Sequence, residues 1–105
     1  MTIRIRVTPE AEAQAKAAKR WWRANRRLAP AMFRQELAGA FQLLRGAPEV
    51  GSLYHDCSDI PGVRRLALLQ TRYHIYYVYD APADLVIVLA VWSRLRGSPP
   101  PLRLT

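Results

Sequence analysis

The pattern of apolar and polar residues changes from a strand period to a helical period within the first ten residues. The odd-numbered positions of segment 2–7 are apolar and lie between basic or polar neighbours, which predicts a strand over 2–7. Thr8 then offers an N-cap hydroxyl, and Pro9 suits the first helical position, so a helix should begin at Pro9 and run over 9–28. Its apolar side is marked by four residues at helical spacing: Ala11, Ala15, Ala18 and Trp22.

A second helix is predicted over 30–45, because Ala29-Pro30 restarts the helical pattern. Its apolar side is formed by residues at steps of four, four and three: Phe33, Leu37, Phe41 and Leu44. Gly46 is expected to end this helix at the left-handed C′ position. The short link between the two helices predicts a helix hairpin.

The second half of the chain is typical of strands. Segment 47–62 holds prolines, glycines and acids without periodicity, which predicts a connecting loop with a short strand at its end as an option. Three runs rich in β-branched and aromatic residues follow, separated by short turns: 63–69, 73–79 and 85–92. The tail, 97–105, contains three successive prolines and has neither a helix nor a strand pattern.

The order strand, helix, helix, three-stranded meander predicts an α+β fold. The short turns favour two consecutive hairpins, so a mainly antiparallel sheet should pack on the two-helix hairpin. The chain has 105 residues, of which 50% are hydrophobic, and this suits one domain over 1–105 with a single core. A two-domain enzyme is excluded by this length.

The charge is strongly positive and is carried by arginine. The formal net charge is +8, and fourteen of the sixteen basic residues are arginine. The basic excess lies on the predicted helix hairpin and on the meander with its tail, while segment 46–59 contains three acids and no base. Because this composition is too apolar for a disordered tail, a folded surface should display the charge to a phosphate backbone or an acidic protein partner.

The chain carries no indication of export or membrane insertion. Cys57 is the only cysteine and cannot form an internal disulfide, which favours a reducing compartment. The longest apolar run, 85–92, is eight residues, whereas a membrane helix needs about 20. We therefore expect a cytoplasmic protein with no membrane partner.

Most sequence signatures of enzymes are missing from the chain. It has no Gly-rich phosphate loop, no paired cysteines, no His-x-x-x-His and no Gly-x-Ser-x-Gly. The adjacent residues His55, Asp56 and Cys57 offer metal-ligand chemistry, but neighbours on an extended loop point in different directions, so an ordinary polar loop is favoured. We expect no metal and no cofactor.

The densest group of chemically active side chains lies on the meander. It consists of Arg64, Arg65, Arg72, Tyr73, His74, Tyr76, Tyr77, Arg94 and Arg96. Arginines can hold phosphates, a histidine can move a proton, and tyrosines can stack on bases, which together suit a metal-free ribonuclease. Alternation along the strand places His74 on the same face as Tyr76 and on the opposite face from Tyr77. For His74 itself, a hydrogen-bonded structural role is the favoured interpretation.

Trp21 and Trp22 are adjacent, so on a helix their side chains point about 100° apart and cannot both enter the core. One is expected in the core and the other at the edge of the helix hairpin, where it packs or contacts a partner.

Six segments resemble the RelE/ParE superfamily, the small toxins of bacterial type II toxin–antitoxin modules. In order along the chain they are Trp22–Arg26, Phe33–Leu37, Pro48–Gly51, Gly62–Leu66, Thr71–Tyr77 and Ala90–Gly97. The resemblance implies the compact toxin fold and a cognate antitoxin whose acidic, initially flexible segment wraps the basic toxin in a hetero-oligomer. That segment would fold on binding, across the helix hairpin, the sheet or its edge.

The resemblance implies one of two activities. RelE-like members cut messenger RNA on the ribosome. In that case Arg64 matches one basic residue of their set, His74 stands where an arginine is usual, and Arg94 matches the arginine after the last strand. Leu66 occupies a position where a lysine is expected, and no tyrosine follows Arg96.

ParE-like members instead poison DNA gyrase, and segments 72–77 and 92–97 resemble that branch more closely. We therefore expect a ParE-like toxin that has no chemistry of its own. The ribosome-dependent ribonuclease and a non-catalytic nucleic-acid-binding module are the alternatives. The residues expected to contact the target or the antitoxin are Arg23, Arg26, Arg27, Arg65, Arg72, Tyr73, Trp92 and Arg96.

Overall fold

The computed structural model describes residues 2–55 and 59–105, which form two helices and a five-stranded sheet. In chain order the elements are β1 (Arg4–Val7), α1 (Pro9–Asn25), α2 (Met32–Gly46), β2 (Ser52–Leu53), β3 (Arg64–Leu68), β4 (Tyr73–Asp80) and β5 (Leu85–Ser93). The sheet order is β1-β5-β4-β3-β2, and every pair is antiparallel except β1 with β5. The predicted α+β class, with the sheet packed on a helix hairpin, is confirmed. Within the described ranges, no helix is long and apolar enough to cross a membrane.

The start of α1 follows from its local chemistry. The Thr8 hydroxyl accepts a hydrogen bond from the Ala11 amide at 3.2 Å, and Pro9 occupies the first turn, as predicted. The helix ends at Asn25 and not at residue 28, because Arg26 leaves the helical region at φ −121°. The Asn25 side-chain amide donates to the Trp21 carbonyl at 2.8 Å and satisfies one of the last acceptors of the helix.

The second helix is shifted towards the C-terminus of the chain relative to the prediction. It begins at Met32, after a turn in which the Met32 amide donates to the Ala29 carbonyl. It continues through Gly46, and Ala47 follows with a φ of −147°. The prediction that Gly46 adopts the left-handed C′ position is therefore wrong, since Gly62 is the only glycine with positive φ in the described ranges.

The loop after α2 contains a short strand, but in its middle and not at its end. Strand β2 pairs with Arg64 and Arg65 of β3. Gly51, directly before β2, donates its amide to the Tyr77 hydroxyl at 2.9 Å. A Cβ at this position would lie 2.7 Å from that hydroxyl oxygen, so only glycine allows the loop to approach the sheet this closely.

Hydrophobic clusters cover both faces of the sheet. On one face α1 and α2 pack against alternate residues of β4 and β5, and the largest fully buried side chains there include Tyr77 and Phe33. Trp22 is in this core with 7% exposure, while Trp21 is 44% exposed at its edge, as the sequence predicted. The other face, called the open face below, buries Tyr76 and Leu89 in a smaller cluster.

The tail contributes to the open face without forming a helix or strand. Leu102 packs against the smaller cluster, and the Trp92 indole N–H donates to the Ser98 carbonyl at 2.9 Å. The Arg6 guanidinium donates to the Leu104 carbonyl at 3.3 Å. The tail therefore covers part of the open face.

Candidate binding surfaces

Three basic side chains come together on the open face. Arg65 of β3 pairs with Tyr76 of β4, and His74 lies two residues before Tyr76, so the side chains of Arg65, Tyr76 and His74 project on the same side of the sheet. Burial, together with the nearby charges of Arg65 and Arg94, lowers the pKa of His74 to about 4. The imidazole is therefore neutral at pH 7.

Aromatic rings surround these bases. The ring of Tyr76 lies 6.0 Å from His74 and 5.0 Å from Tyr54, both in edge-to-face contact. The guanidinium of Arg65 lies 5.2 Å from the centre of the Tyr54 ring. The set Arg65, His74, Arg94, Tyr54 and Tyr76 is called the open-face cluster below.

Arg64 does not join this cluster. It lies on the opposite side of β3 and donates to the backbone carbonyls of Gly51, at 2.8 Å, and Glu49, at 3.1 Å. It also forms an ion pair with the Glu49 carboxylate at 3.4 Å. Of the three residues predicted for a nuclease, the structure brings His74 and Arg94 together and separates Arg64 from them. Sequence analysis grouped Arg64 with His74, but the register of the sheet pairs Arg64 with Tyr77, on the opposite face from His74.

Leu66 also bears on the nuclease set, because it occupies the position where RelE-like toxins are expected to carry a lysine. It is partly buried and packs against the helix-side core. This position therefore supplies an apolar contact to the fold and presents no charge to the open face.

A second basic and aromatic region lies where α1 ends. A cleft of about 520 Å³ opens between the last turns of α1, the β3–β4 turn and the segment after β5. The basic and aromatic residues that line this cleft are Trp21, Trp22, Arg26, Arg72, Tyr73 and Arg96. A second cleft of about 420 Å³ adjoins it and shares Trp21, Tyr73, Ser93 and Arg96. The two clefts together are called the α1 groove.

Stacked guanidinium groups line this groove. Arg26 lies 4.8 Å from the ring centre of Trp21 and 5.5 Å from that of Trp22. Arg96 lies 4.1 Å above the ring of Trp92. A guanidinium stacked on an indole keeps its N–H donors free at the edge of the plane, where they can bind a carboxylate or phosphate.

The β3–β4 turn, which carries Arg72, is anchored by a residue that sequence analysis missed. The Glu36 carboxylate of α2 accepts hydrogen bonds from the amides of Gln70 and Thr71, at 2.7 and 2.9 Å, and from the Thr71 hydroxyl at 2.6 Å. Arg72 follows with a φ of 62°, and its carbonyl accepts from the Arg94 amide at 2.8 Å. No sequence signal links Glu36 to a turn that lies more than thirty residues away.

The remaining predicted binding residues lie on the outside of the helix hairpin. Arg23 lines a shallow cleft of about 280 Å³ with Lys19 and Arg34, and Arg27 is exposed in the turn after α1. Beside them, a groove of about 510 Å³ has an apolar floor that includes Leu37 and a basic rim of Arg6, Lys16 and Lys19.

A metal site is not formed by the described part of the chain, where no three His, Cys, Asp or Glu side chains come together. The candidate set His55-Asp56-Cys57 falls largely outside the described residues, because only His55 belongs to them.

Comparisons with known proteins agree with this fold. The family model described as the ParE toxin of the type II toxin–antitoxin system parDE matches residues 5–97. No curated protein sequence gives a significant match. Among solved structures, the chromosomal ParDE system from P. aeruginosa superimposes with a TM-score of 0.63 at 17% identity, covering 87% of this chain and 95% of that one.

A double arginine-to-alanine mutant of the E. coli toxin RelE in the free state superimposes with a TM-score of 0.55 at 16% identity, covering 90% of this chain and 86% of that one. At these identities the two structures establish the shared fold, and the family model, which spans most of the chain, establishes the family. The chain belongs to the ParE toxin family of type II toxin–antitoxin systems.

Proposed function

We propose that this protein is a toxin that stops growth by binding and inhibiting DNA gyrase, and that a cognate antitoxin neutralises it. Membership of the ParE family carries the proposal. The state of the nuclease set supports it, because Arg64 is engaged with Glu49 and Leu66 packs against the core. On this proposal the toxin works by occupying its target and needs no cofactor.

A supercoiling assay tests this function. Purified toxin is added to gyrase, relaxed plasmid and ATP, and loss of supercoiling or accumulation of cleaved DNA is the expected result. Arg72→Glu with Arg96→Glu should weaken inhibition if the α1 groove contacts gyrase, and Arg45→Glu on the outside of α2 is a control for a single charge reversal away from the groove. Normal supercoiling at saturating toxin would contradict the proposal.

The antitoxin is the expected partner. The toxin carries a net charge of +8, and among the described residues its ion pairs are limited to Lys16 with Glu12 and Arg64 with Glu49. The arginines of the helix hairpin and of the α1 groove are therefore available to acidic side chains of another chain. A toxin–antitoxin hetero-oligomer that dissociates at high salt is the expected form, and co-purification from cells expressing both proteins tests it.

A ribosome-dependent ribonuclease is the second candidate. The observation that favours it is the convergence of Arg65, His74 and Arg94. A neutral His74 could accept a proton from a ribose hydroxyl, and the arginines could stabilise the charge that develops on the phosphate. This function predicts messenger RNA cuts that require ribosomes and that disappear in His74→Gln with Arg94→Gln.

A further inference from the structure

Three cations from two helices come together on the outside of the helix hairpin. The shallow cleft of about 280 Å³ described above is lined by Lys19 and Arg23 of α1, by Arg34 of α2, and by Pro30 and Ala31 of the link between the helices. It shares no lining residue with the α1 groove. This cleft is called the hairpin cleft below, and it is a separate concentration of positive charge.

The positive charge on the α1 side of the hairpin cleft is not balanced. Lys19 and Arg23 are four residues apart, so they are neighbours on the helix surface and repel each other. One turn earlier the same spacing joins opposite charges, since Lys16 forms an ion pair with Glu12 at 3.6 Å. Within the described ranges neither Lys19 nor Arg23 takes part in an ion pair.

The α2 side of the cleft adds a third unbalanced charge. Acids are favoured in the first turn of a helix because the N-terminal end is partly positive, and α1 follows this rule with Glu10 and Glu12. Helix α2 has no acid in its first turn and carries Arg34 there, which also lacks an ion pair in the described part of the chain. The packing of the hairpin does not explain this concentration of charge, whereas a bound anion would offset it.

The lining of the cleft indicates which kind of anion fits. Protein partners are usually anchored by buried aromatic or large apolar side chains, and single-stranded nucleic acids by bases stacked on aromatic rings. Apart from its three cations, the hairpin cleft is lined only by Pro30 and Ala31, which provide neither kind of anchor. The phosphate backbone of a duplex needs no such anchor, because it is bound through charge without reading the bases.

The spacing of the cations suits a duplex as well. Lys19 and Arg23 are separated by about 6 Å along the axis of α1. Duplex DNA carries one negative charge for about every 1.7 Å of its axis, so cations at this separation can contact neighbouring phosphates. Arg34 reaches the same cleft from the second helix and widens the contact.

We propose that the hairpin cleft binds the phosphate backbone of duplex DNA through Lys19, Arg23 and Arg34. This inference goes beyond the proposed function, because it gives the toxin a DNA contact of its own in addition to its contact with gyrase. With gyrase as the target, the DNA that gyrase holds would supply the duplex. The toxin would then bind the gyrase–DNA complex more tightly than gyrase alone.

Fluorescence anisotropy of a labelled duplex of about 20 base pairs, titrated with the intact toxin between about 50 and 200 mM salt, tests the inference. The cleft variant combines Lys19→Gln, Arg23→Gln and Arg34→Gln. The matched control makes the same change in net charge at three exposed bases outside the cleft, by combining Arg4→Gln, Arg45→Gln and Arg103→Gln.

The cleft variant should bind the duplex at least tenfold more weakly than the wild-type toxin at the lowest salt. Its plot of log affinity against log salt should be shallower by about 2–3, because each phosphate contact contributes about 0.9 to the slope. The control should keep nearly the wild-type slope. Because Lys19 is partly buried, Arg23→Gln with Arg34→Gln alone provides a second variant with two exposed substitutions, and its slope should change by about 2.

Three results would overturn the inference. Equal losses in the cleft variant and the control would show that DNA binding depends on net charge and not on this cleft. A single-stranded oligonucleotide that competes as well as the duplex would exclude recognition of duplex phosphates. A cleft variant that binds DNA normally but loses affinity for the antitoxin would assign the cleft to an acidic protein.

The supercoiling assay separates this inference from the proposed function. Gyrase inhibition by a toxin whose DNA binding does not depend on the cleft would overturn the inference and keep the function. DNA binding that depends on the cleft, together with normal supercoiling at saturating toxin, would support the inference and contradict the function.

Discussion

The open-face cluster and the α1 groove both combine arginine with aromatic rings, but they differ in the shape of the surface that they form. On the open face, Arg65 lies against Tyr54, and His74 is held neutral at pH 7 by burial and by its cationic neighbours. Within the described residues the arginines of both regions have no carboxylate partner, but those of the groove line a cleft of about 520 Å³. Similar residue types thus pack on the sheet in one place and line a concave surface in the other.

This difference shows why composition alone does not locate a site in a basic toxin. Arginine can be satisfied by ring faces and backbone carbonyls, as at Arg64, and then contributes to the fold. It marks a binding surface where its donors remain free around a concave space. We therefore expect the groove to be the main surface for partner binding.

Charge reversal should give the largest effect and separates the two regions directly. Arg72→Glu with Arg96→Glu is expected to weaken antitoxin binding about a hundredfold, because two cations are replaced by charges that repel an acidic segment. Arg65→Glu with Arg94→Glu makes the same change in net charge on the open face and should weaken antitoxin binding far less. Calorimetric titration measures both, and equal losses would remove the distinction between the regions.

Loss of the Glu36 carboxylate should produce the next largest effect. Glu36→Ala removes three hydrogen bonds to the β3–β4 turn and is expected to lower the free energy of unfolding by about 2 kcal/mol. Glu12→Ala, which breaks only an exposed ion pair on α1, should cost about 0.5 kcal/mol or less. Urea denaturation provides the measurement, and similar midpoints for the two variants would contradict the role of Glu36.

Neighbouring arginines on β3 should behave differently. Arg64→Ala is expected to reduce the free energy of unfolding by about 1 kcal/mol, because the carbonyls of Glu49 and Gly51 lose their donor. Arg65→Ala removes an exposed contact with Tyr54 and should leave stability nearly unchanged. If thermal unfolding shows Arg65→Ala as the more destabilised variant, the assignment of the two side chains is wrong.

The last effect is the pH dependence caused by His74, which appears only below the neutral range. The folded protein keeps the imidazole neutral down to about pH 4, whereas the unfolded chain takes up a proton below its ordinary pKa of 6.5. Stability should therefore decrease as the pH falls from 6.5 towards 4 and show no His74 contribution above that range. Denaturation of His74→Gln should lack this part of the pH dependence, and an unchanged profile would show that His74 is not its source.

The fold was predictable where local chemistry determines it. Thr8 and Pro9 fixed the start of α1, and the spacing of four apolar residues identified its buried side. The end of α1 is determined by the backbone of Arg26, which leaves the helical region at φ −121°, and no apolar spacing indicates this position. The left-handed position expected at Gly46 did not form, because the backbone there continues in the helix and extends at Ala47.

The binding surfaces were less predictable because they depend on contacts between distant parts of the chain. Sequence analysis named Arg72 and Arg96, but nothing local showed that Glu36 holds the turn beside them. Sequence analysis also grouped Arg64 with His74. Strand alternation shows which residues of one strand share a face, but it does not show that the carbonyls of Glu49 and Gly51 bind the Arg64 side chain.

A gyrase supercoiling assay with the double variant His74→Gln, Arg94→Gln tests the central claim most directly. The account predicts that wild-type toxin and this variant inhibit supercoiling equally, that added antitoxin restores it, and that messenger RNA stays intact in a ribosome-containing extract. Unaffected gyrase together with ribosome-dependent cleavage that the variant loses would contradict the account and assign the function to the open face.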